Sequence, residues 1–375
     1  MSHDRIQDLW QSLLPREIAD QPCLYTWRKN RFQSSSFKDL NAQAHCAAAF
    51  LMDSGLQKGD TLAVVSEPSL PLLAIDLALQ FLGGVGLYLP AGLSPKQVAQ
   101  TIRTHKSRFV FVGSHETYLE LGELADLKPD LKTIFLETED AEGLSAEKLI
   151  TYDIMVLRGK SVWREQAQRL ADCKEAVGRD DTYALFAHNP KNPLQFAPVR
   201  YARVLEHLQQ AQERIAETPS GSVLSLAPVD RYLQHIHGAF APLSIQRPLY
   251  ILDSAQLTTE HCADCQPGLM VLQPGDIETI YERLPAHFLG KDDPKPIEKA
   301  QELIEIRETA KAEGKKTPFF KNVKYKSHNK GLYKQVRKRM GGQLAALICD
   351  HDEPDARTAR FFRECGLPIE VTSMY

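Results

Sequence analysis

The chain has 375 residues, enough for two or three domain-sized units at roughly 150 residues each, and long enough to bury a core without disulfides or metals. A composition of 43% apolar and 25% charged residues, with 21 Gly and 22 Pro, excludes collagen, coiled coil and wholesale disorder. A net charge of −3, from 48 acids against 45 bases, leaves no global electrostatic argument for nucleic acid.

The opening MSHDRIQDLW has no basic stretch followed by an apolar run, so it does not read as a secretory signal. The segment from Phe37 to Ser54 places Leu40, Ala44, Ala47, Ala48 and Leu51 at helical spacing, with Gly55 to close the helix. A turn at Lys58-Gly59-Asp60 leads to a strand over Thr61–Val65. A helix over Leu72–Leu82, a Gly83-Gly84 stop and a strand over Val85–Leu89 follow. A second helix over Ser94–His105 precedes a strand over Arg108–Val112. The most apolar stretch, Leu70 to Leu93, is interrupted by Asp76, Gln80 and glycines, so it reads as helix then strand and not as a bilayer span.

The middle is less regular. Thr133–Leu136 reads as a strand, Glu137–Lys148 as a polar loop, and Ser161–Val177 as an amphipathic helix. Phe196-Ala197-Pro198 is expected to lead into a helix over Tyr201–Ile215. Strands are expected over Ser222–Leu226, Leu249–Leu252, Leu269–Leu272 and Leu344–Cys349, and helices over Pro296–Ala312 and Asp355–Glu364. Short, continuously apolar strands alternating with helices argue for mostly parallel sheets covered on both faces.

The words inside these elements resemble the large N-terminal domain of the adenylate-forming (AMP-binding) superfamily, and within it the long-chain fatty acyl-CoA synthetases. They are Phe37-Lys38-Asp39-Leu40-Asn41, Gly55-Leu56-Gln57-Lys58-Gly59-Asp60, Asp76-Leu77-Ala78, Gly83-Gly84, Leu87-Tyr88-Leu89-Pro90 and Ser94-Pro95-Lys96-Gln97. Leu224-Ser225-Leu226-Ala227-Pro228, Gly341-Gly342-Gln343-Leu344, Phe361-Phe362 and Gly366-Leu367-Pro368-Ile369 continue the series. The resemblance implies an α/β fold of layered mixed and parallel sheets flanked by helices, without the family's small C-terminal domain. Its two synthetase-like subdomains are expected over 1–178 and 179–375, the second ending near the adenine-binding motif.

The catalytic words depart from the family. Members cradle ATP phosphates in a loop of hydroxyls, glycines and one lysine, where backbone N–H groups reach the phosphates and the lysine adds charge. In register after Asp180-Asp181 and Ala184-Leu185-Phe186, this chain reads His188, Asn189, Pro190, Lys191, Asn192, Pro193, Leu194, Gln195, Phe196, Ala197. Pro190, Pro193 and Ala197 stand at the glycine positions and Phe196 at the lysine position, and proline has no N–H to donate. The family's Gly-Gly-Ala, which lines the acyl and adenine pocket, aligns with Asp350, His351 and Asp352. Its Tyr-Gly-x-Thr-Glu motif aligns with Ser373-Met374-Tyr375, where the sequence stops.

The implied activity, AMP-forming long-chain fatty acid–CoA ligation, is therefore not expected, nor is ATP or Mg²⁺ binding. No catalytic residue is assigned. The leading expectation is a non-catalytic relative that acts as a partner-binding or regulatory subunit of a larger assembly. A fatty-acyl ligand-binding protein, or the N-terminal half of a ligase completed by a separate chain, stand beside it.

Two other features carry chemistry. Cys262-x-x-Cys265, with His261 beside it and His235 and His237 upstream, has half of a metal-ligand spacing, and no second cysteine pair accompanies it, so no metal is expected. All seven cysteines are scattered, which fits a reducing, cytoplasmic location. The tract 315–339 carries Lys315, Lys316, Lys321, Lys324, Lys326, Lys330, Lys334, Arg337, Lys338 and Arg339 with no acid, interleaved with Phe319, Phe320, Tyr325 and Tyr333. That pattern suits an anionic surface at the inner face of a membrane, while nucleic acid is not expected because no recognised binding motif accompanies it. A protein partner or a second copy is expected as well.

Overall fold

A computed structural model describes residues 5–13, 16–121, 133–136, 149–188, 192–218, 221–290, 293–316, 319–350 and 353–372. The chain divides into two compact units, Met1–Ala211 with Pro228–Ile236, and Gln212–Ala227 with His237–Tyr375.

The first unit opens with short helices α1 (Ile6–Gln11) and α2 (Arg16–Ala19), then an antiparallel hairpin of β1 (Pro22–Arg28) and β2 (Arg31–Ser36). The hairpin turn is Lys29-Asn30, both at positive φ, the backbone twist that two-residue turns demand. Helix α3 (Phe37–Asp53) begins with a capping box between Ser36 and Asp39. Then come β3 (Thr61–Val65), α4 (Leu70–Leu82), β4 (Val85–Tyr88), α5 (Pro95–Thr104), β5 (Phe109–Val112), α6 (His115–Glu120), β6 (Thr133–Leu136) and β7 (Leu149–Thr151). Helices α7 (Tyr152–Glu165) and α8 (Ala167–Glu175) follow, then β8 (Thr182–Ala187), β9 (Phe196–Arg200) and α9 (Tyr201–Ala216), in which the boundary between the units falls.

One seven-stranded sheet, in the order β7-β6-β5-β3-β4-β8-β9, organises this unit, parallel except for the antiparallel pair β8–β9. Residues Leu62, Ala63, Val64, Val110, Phe111 and Val112 are fully buried, as strands covered on both faces require. Helix α4 is buried from Pro71 to Leu82. Its two polar side chains, Asp76 and Gln80, are buried too, paired with Tyr183 and Trp10, so the helix keeps no solvent face and lies in the interior. The Ser69 hydroxyl caps its start and Gly83, at φ 65°, ends it in the left-handed conformation.

The second unit repeats the scheme with β10 (Ser222–Ser225), α11 (Ala241–Ser244), β11 (Leu249–Ile251), α12 (Thr259–Cys265) and β12 (Pro267–Val271). Helices α13 (Pro274–Arg283), α14 (Lys295–Ala312), α15 (Phe319–His328) and α16 (Lys334–Arg339) lead to β13 (Ala346–Asp350), α17 (Ala356–Glu364) and β14 (Ile369–Thr372). Its five parallel strands run β14-β13-β12-β10-β11. Helix α10 (Tyr232–His235) belongs to the first unit, and a π-turn over Ile236–Phe240 leads from it into α11.

The structure changes or adds to the sequence expectations in three places. The helix expected over Ser161–Val177 begins at Tyr152 and breaks at Gln166 into α7 and α8; the break sits at a residue outside the helical region, φ −121°, ψ 30°. Phe196-Ala197-Pro198 does lead into the helix at Tyr201, and it does so as the strand β9, paired with β8. β9 is the edge strand, where a proline without an N–H is tolerated. The β1–β2 hairpin was not expected at all. The loop expected over Glu137–Lys148 lies outside the described residues. Among the described residues no helix is long and apolar enough to cross a membrane.

Candidate functional site

In the first unit β3 is followed by its neighbour β4, and the chain then crosses to β5 on the other side of β3. The loops that leave β3 and β5 therefore diverge, and the space between them at the carboxyl ends of the strands is where open α/β sheets place ligands. A cleft of about 650 Å³ lies there. Ser66-Glu67-Pro68-Ser69 after β3, Leu89–Leu93 after β4 and Gly113-Ser114 after β5 form its walls. Pro228-Val229-Asp230 close one side, and all of these residues belong to the first unit.

The floor is apolar. Leu89, Val98 and Leu121 line the cleft and also pack in the core cluster of Ala63, Leu87, Ile102, Val110 and Val112. The mouth is polar, with Arg28, Glu67, Glu120, Asp230, Thr117 and serine hydroxyls. The N-termini of α4, α5 and α6 all start at the rim, capped by the hydroxyls of Ser69, Ser94 and Ser114. An apolar floor under convergent polar groups is the ordinary makeup of a small-molecule site.

A buried polar network fixes one wall. Asp76 on α4 is 2% exposed and accepts from the Tyr183 hydroxyl at 2.8 Å, while Nδ1 of His235 lies 2.9 Å from the same oxygen. The other ring nitrogen of His235 donates to the Val229 carbonyl at 2.8 Å, so it carries a proton and anchors the cleft-lining segment. Tyr88 and Phe186 pack on the imidazole at 4.4 and 4.9 Å between centroids. Burial first, and the charge of Asp76 second, pushes the phenols of Tyr88, Tyr183 and Tyr201 well above their ordinary value, so they stay protonated. Sequence reasoning quoted Asp76, Tyr88 and His235 only as parts of words and a helix. What brings them together is the return of residues 228–236 to the first unit, which no local pattern announces.

Of the residues expected at the phosphate loop, His188 and Asn192–Ala197 are described, and they lie at the end of β8 and the start of β9. Ala187 pairs with Phe196 and Phe186 with Ala197. The His188 N–H donates to the Gln195 carbonyl at 3.2 Å, the Gln195 N–H to the Asn192 carbonyl at 3.0 Å, and the Leu194 N–H to the Asn192 side chain at 3.3 Å. Pro193 has no N–H. Phe196, expected at the position of the lysine, sets its ring edge against His105 at 5.3 Å and packs on the core. Asn189, Pro190 and Lys191 lie outside the described residues.

The remaining expected positions are in the second unit. Asp350 is buried at the end of β13 opposite Thr372, while His351, Asp352 and Ser373 lie outside the described residues. Cys262 and Cys265 are buried on α12, and burial pushes the Cys262 thiol up to about 12 and Cys265 higher still. The His261 ring completes a capping box with Thr258. Among the described residues no group of three or more His, Cys, Asp or Glu side chains gathers for a metal.

The basic tract is helical. Lys321 pairs with Glu302 at 3.0 Å and Lys315 with Glu313 at 2.9 Å, Arg337 donates to the Cys365 carbonyl, and Tyr333 is buried. Lys316, Lys324, Lys334, Lys338 and Arg339 are exposed, with Phe320 80% and Val323 50% exposed on α15. The side chains of Lys326 and Lys330 lie outside the described residues.

Comparison with known proteins bears on the fold. Residues 15–186 match the family model of the AMP-binding enzymes, a match that ends two residues before the hairpin tip. The Brucella canis acyl-CoA synthetase superposes with a TM-score of 0.64 at 13% identity, over 98% of this chain and 56% of that one. The anthranilate CoA ligase AuaEII, solved with anthranoyl-AMP, gives 0.65 at 12% over 98% and 59%. A fatty acyl-adenylate ligase from L. pneumophila, solved with acyl adenylate and pyrophosphate, gives 0.64 at 11% over 97% and 53%. The chain thus spans between half and two thirds of the length of these structures, and at such identities the likeness is one of fold. No curated protein matches the sequence.

Proposed function

We propose that this chain, an N-terminal domain of the AMP-binding superfamily, works by binding and not by adenylation. The observation that carries the reading is the β8–β9 hairpin. A phosphate cradle needs several N–H groups pointing outward together with a cation. At this tip the N–H groups of His188, Leu194 and Gln195 are spent on acceptors within the turn, and Phe196, expected at the cation's position, packs against His105. Neutralising a triphosphate needs oriented amides, lysine and magnesium together, and in this reading the described residues of the loop supply neither of the first two.

In this reading the chain is a regulatory or partner-binding subunit, retained for its scaffold. The test is carboxylate-dependent exchange of labelled pyrophosphate into ATP by the purified chain, across acids from acetate to palmitate. The expected result is exchange at the buffer background. Exchange that depends on both the chain and an acid overturns the proposal.

A second reading rests on the cleft between the loops of β3 and β5. Its apolar floor and polar mouth suit an amphipathic ligand such as a short acyl group with a polar head. Native mass spectrometry of the purified chain, incubated with acyl carboxylates of graded length, tests it. Retention that Leu89→Asp abolishes supports the reading, and no retention at any length rejects it.

A further inference from the structure

Away from the cleft, the first unit holds a lysine in an unusual setting. Lys174, on the last turn of α8, is half-buried, and its Nζ lies 2.6 Å from Nε2 of His45 on α3. The other ring nitrogen of His45 lies 2.8 Å from the Asn41 carbonyl one helical turn back, so that nitrogen carries the ring proton. Nε2 is therefore left as a lone pair aimed at the amine. The His45 ring is itself held, stacked 4.6 Å from Trp163 on α7 and 4.8 Å from Phe81 on α4. The same Phe81 ring lies under the Lys174 ammonium at 4.1 Å. Gly159 on α7 allows the tight approach, since a Cβ there would meet the Cys46 carbonyl oxygen at 1.9 Å.

The nearby charges are engaged elsewhere. On α8, Asp172 accepts from Gln168 and Glu175 is taken by Arg5. On α3, Asp53 accepts from Gln166. Among the described residues no carboxylate pairs with Lys174. With no carboxylate beside it, burial draws the Lys174 amine down to about 8. Burial first, and the neighbouring Lys174 charge second, lowers His45 to about 4, so the imidazole stays neutral.

We propose that Lys174 is a covalent acyl-acceptor site for small activated acyl groups such as thioesters, with His45 receiving the proton. The free amine attacks the thioester carbonyl carbon. The proton released from nitrogen in the tetrahedral adduct passes to Nε2 of His45, the C–S bond breaks, and the departing thiolate takes that proton. The products are an amide on Lys174 and a free thiol, with no further reactant. The inference is independent of what the cleft binds.

The magnitude follows from two opposed effects. At pH 7 an amine titrating near 8 is free about 200 times more often than an ordinary lysine near 10.4. Its lower basicity weakens it as a nucleophile by roughly tenfold, taking the slope known for thiols as a guide. A net preference on the order of tenfold remains.

The experiment incubates the full chain with S-acetyl-N-acetylcysteamine at several pH values and follows site occupancy by peptide mass spectrometry. The exposed Lys96 and Lys106 in the same molecule serve as internal standards. The expected result is acetylation of Lys174 about tenfold faster than either standard at pH 7, with its rate levelling off above pH 8 while theirs still climbs. His45→Phe, which keeps the aromatic packing, should slow Lys174 at least several-fold without changing the standards, and His45→Gln, which restores an acceptor, should recover part of the rate. Because the first comparison is made within the unaltered chain, a variant that fails to fold does not protect the proposal. Acetylation of Lys174 no faster than Lys96 and Lys106 overturns it, and an unchanged rate in folded His45→Phe overturns the role of His45.

Discussion

The two units thread five parallel strands in the same order: β4-β3-β5-β6-β7 in the first and β11-β10-β12-β13-β14 in the second. Each has a switch point beside its first strand, yet the carboxyl edges differ. In the first, small and turn-forming residues leave β3, β4 and β5, and a cleft opens over an apolar floor. In the second, the chain leaves the unit after Ala227, just beyond β10. After β12 it enters α13 almost at once through a Gln273–Asp276 capping box, and Asp350 is buried at the end of β13. The described groove of the second unit, about 480 Å³, lies instead along α14 and residues 315–316. Strand order decides where a crevice can form. The length and composition of the loops decide whether it opens.

The cores differ as well, and mutation can separate them. The first unit is built around a buried carboxylate, Asp76, shared with His235 and Tyr183. The second packs the rings of Tyr281, Tyr333, Phe361 and Phe362 edge to face. Asp76→Ala should cost about 3–5 kcal/mol, because it strands buried polar partners. Phe361→Ala should cost a similar 3–5 kcal/mol through a cavity. Hydrogen exchange tells them apart: the first should expose amides of β3, β4 and β8, the second those of β12 and β13. Matching exchange patterns for both variants would show one cooperative core and remove the distinction.

A smaller effect sharpens the electrostatic side. His45 is lowered to about 4 in the folded chain, against about 6.5 unfolded. The unfolded chain binds the proton first, so the contribution is complete above about pH 6.5 and is lost as pH falls toward 4. Denaturation midpoints at pH 7 and pH 4.5 should differ less in His45→Phe than in the unaltered chain. An equal difference in both would place the acid sensitivity elsewhere.

The smallest effect concerns the rim of the cleft. The Ser69 hydroxyl accepts the Leu72 N–H at 3.1 Å, and Ser69→Ala should cost about 1 kcal/mol in urea denaturation. No measurable cost would mean that water caps α4 equally well.

Much of this fold is legible along the chain. The strands β3, β4 and β5 and the helices α3, α4 and α5 lie within a residue or two of their expected bounds. Apolar periodicity and capping residues such as Ser36, Ser94 and Gly83 are local signals. The β1–β2 hairpin was not legible, since Cys23, Thr26 and Ser34–Ser36 give only a weak alternation and its turn, Lys29-Asn30, contains no glycine.

The sequence by itself determined that short apolar strands alternate with helices, that proline, phenylalanine and alanine stand at 193, 196 and 197, and that basic and aromatic residues interleave from 315 to 339. Those properties reside in single residues and short spacings. Only the tertiary structure decided that Asp76 meets His235 across 159 positions, that Lys174 meets His45 across 129, and that three separate loops enclose one cleft. Such meetings depend on which faces the helices bury and where the chain re-enters a unit, and burial of a polar group against a distant partner leaves no periodic mark along the chain.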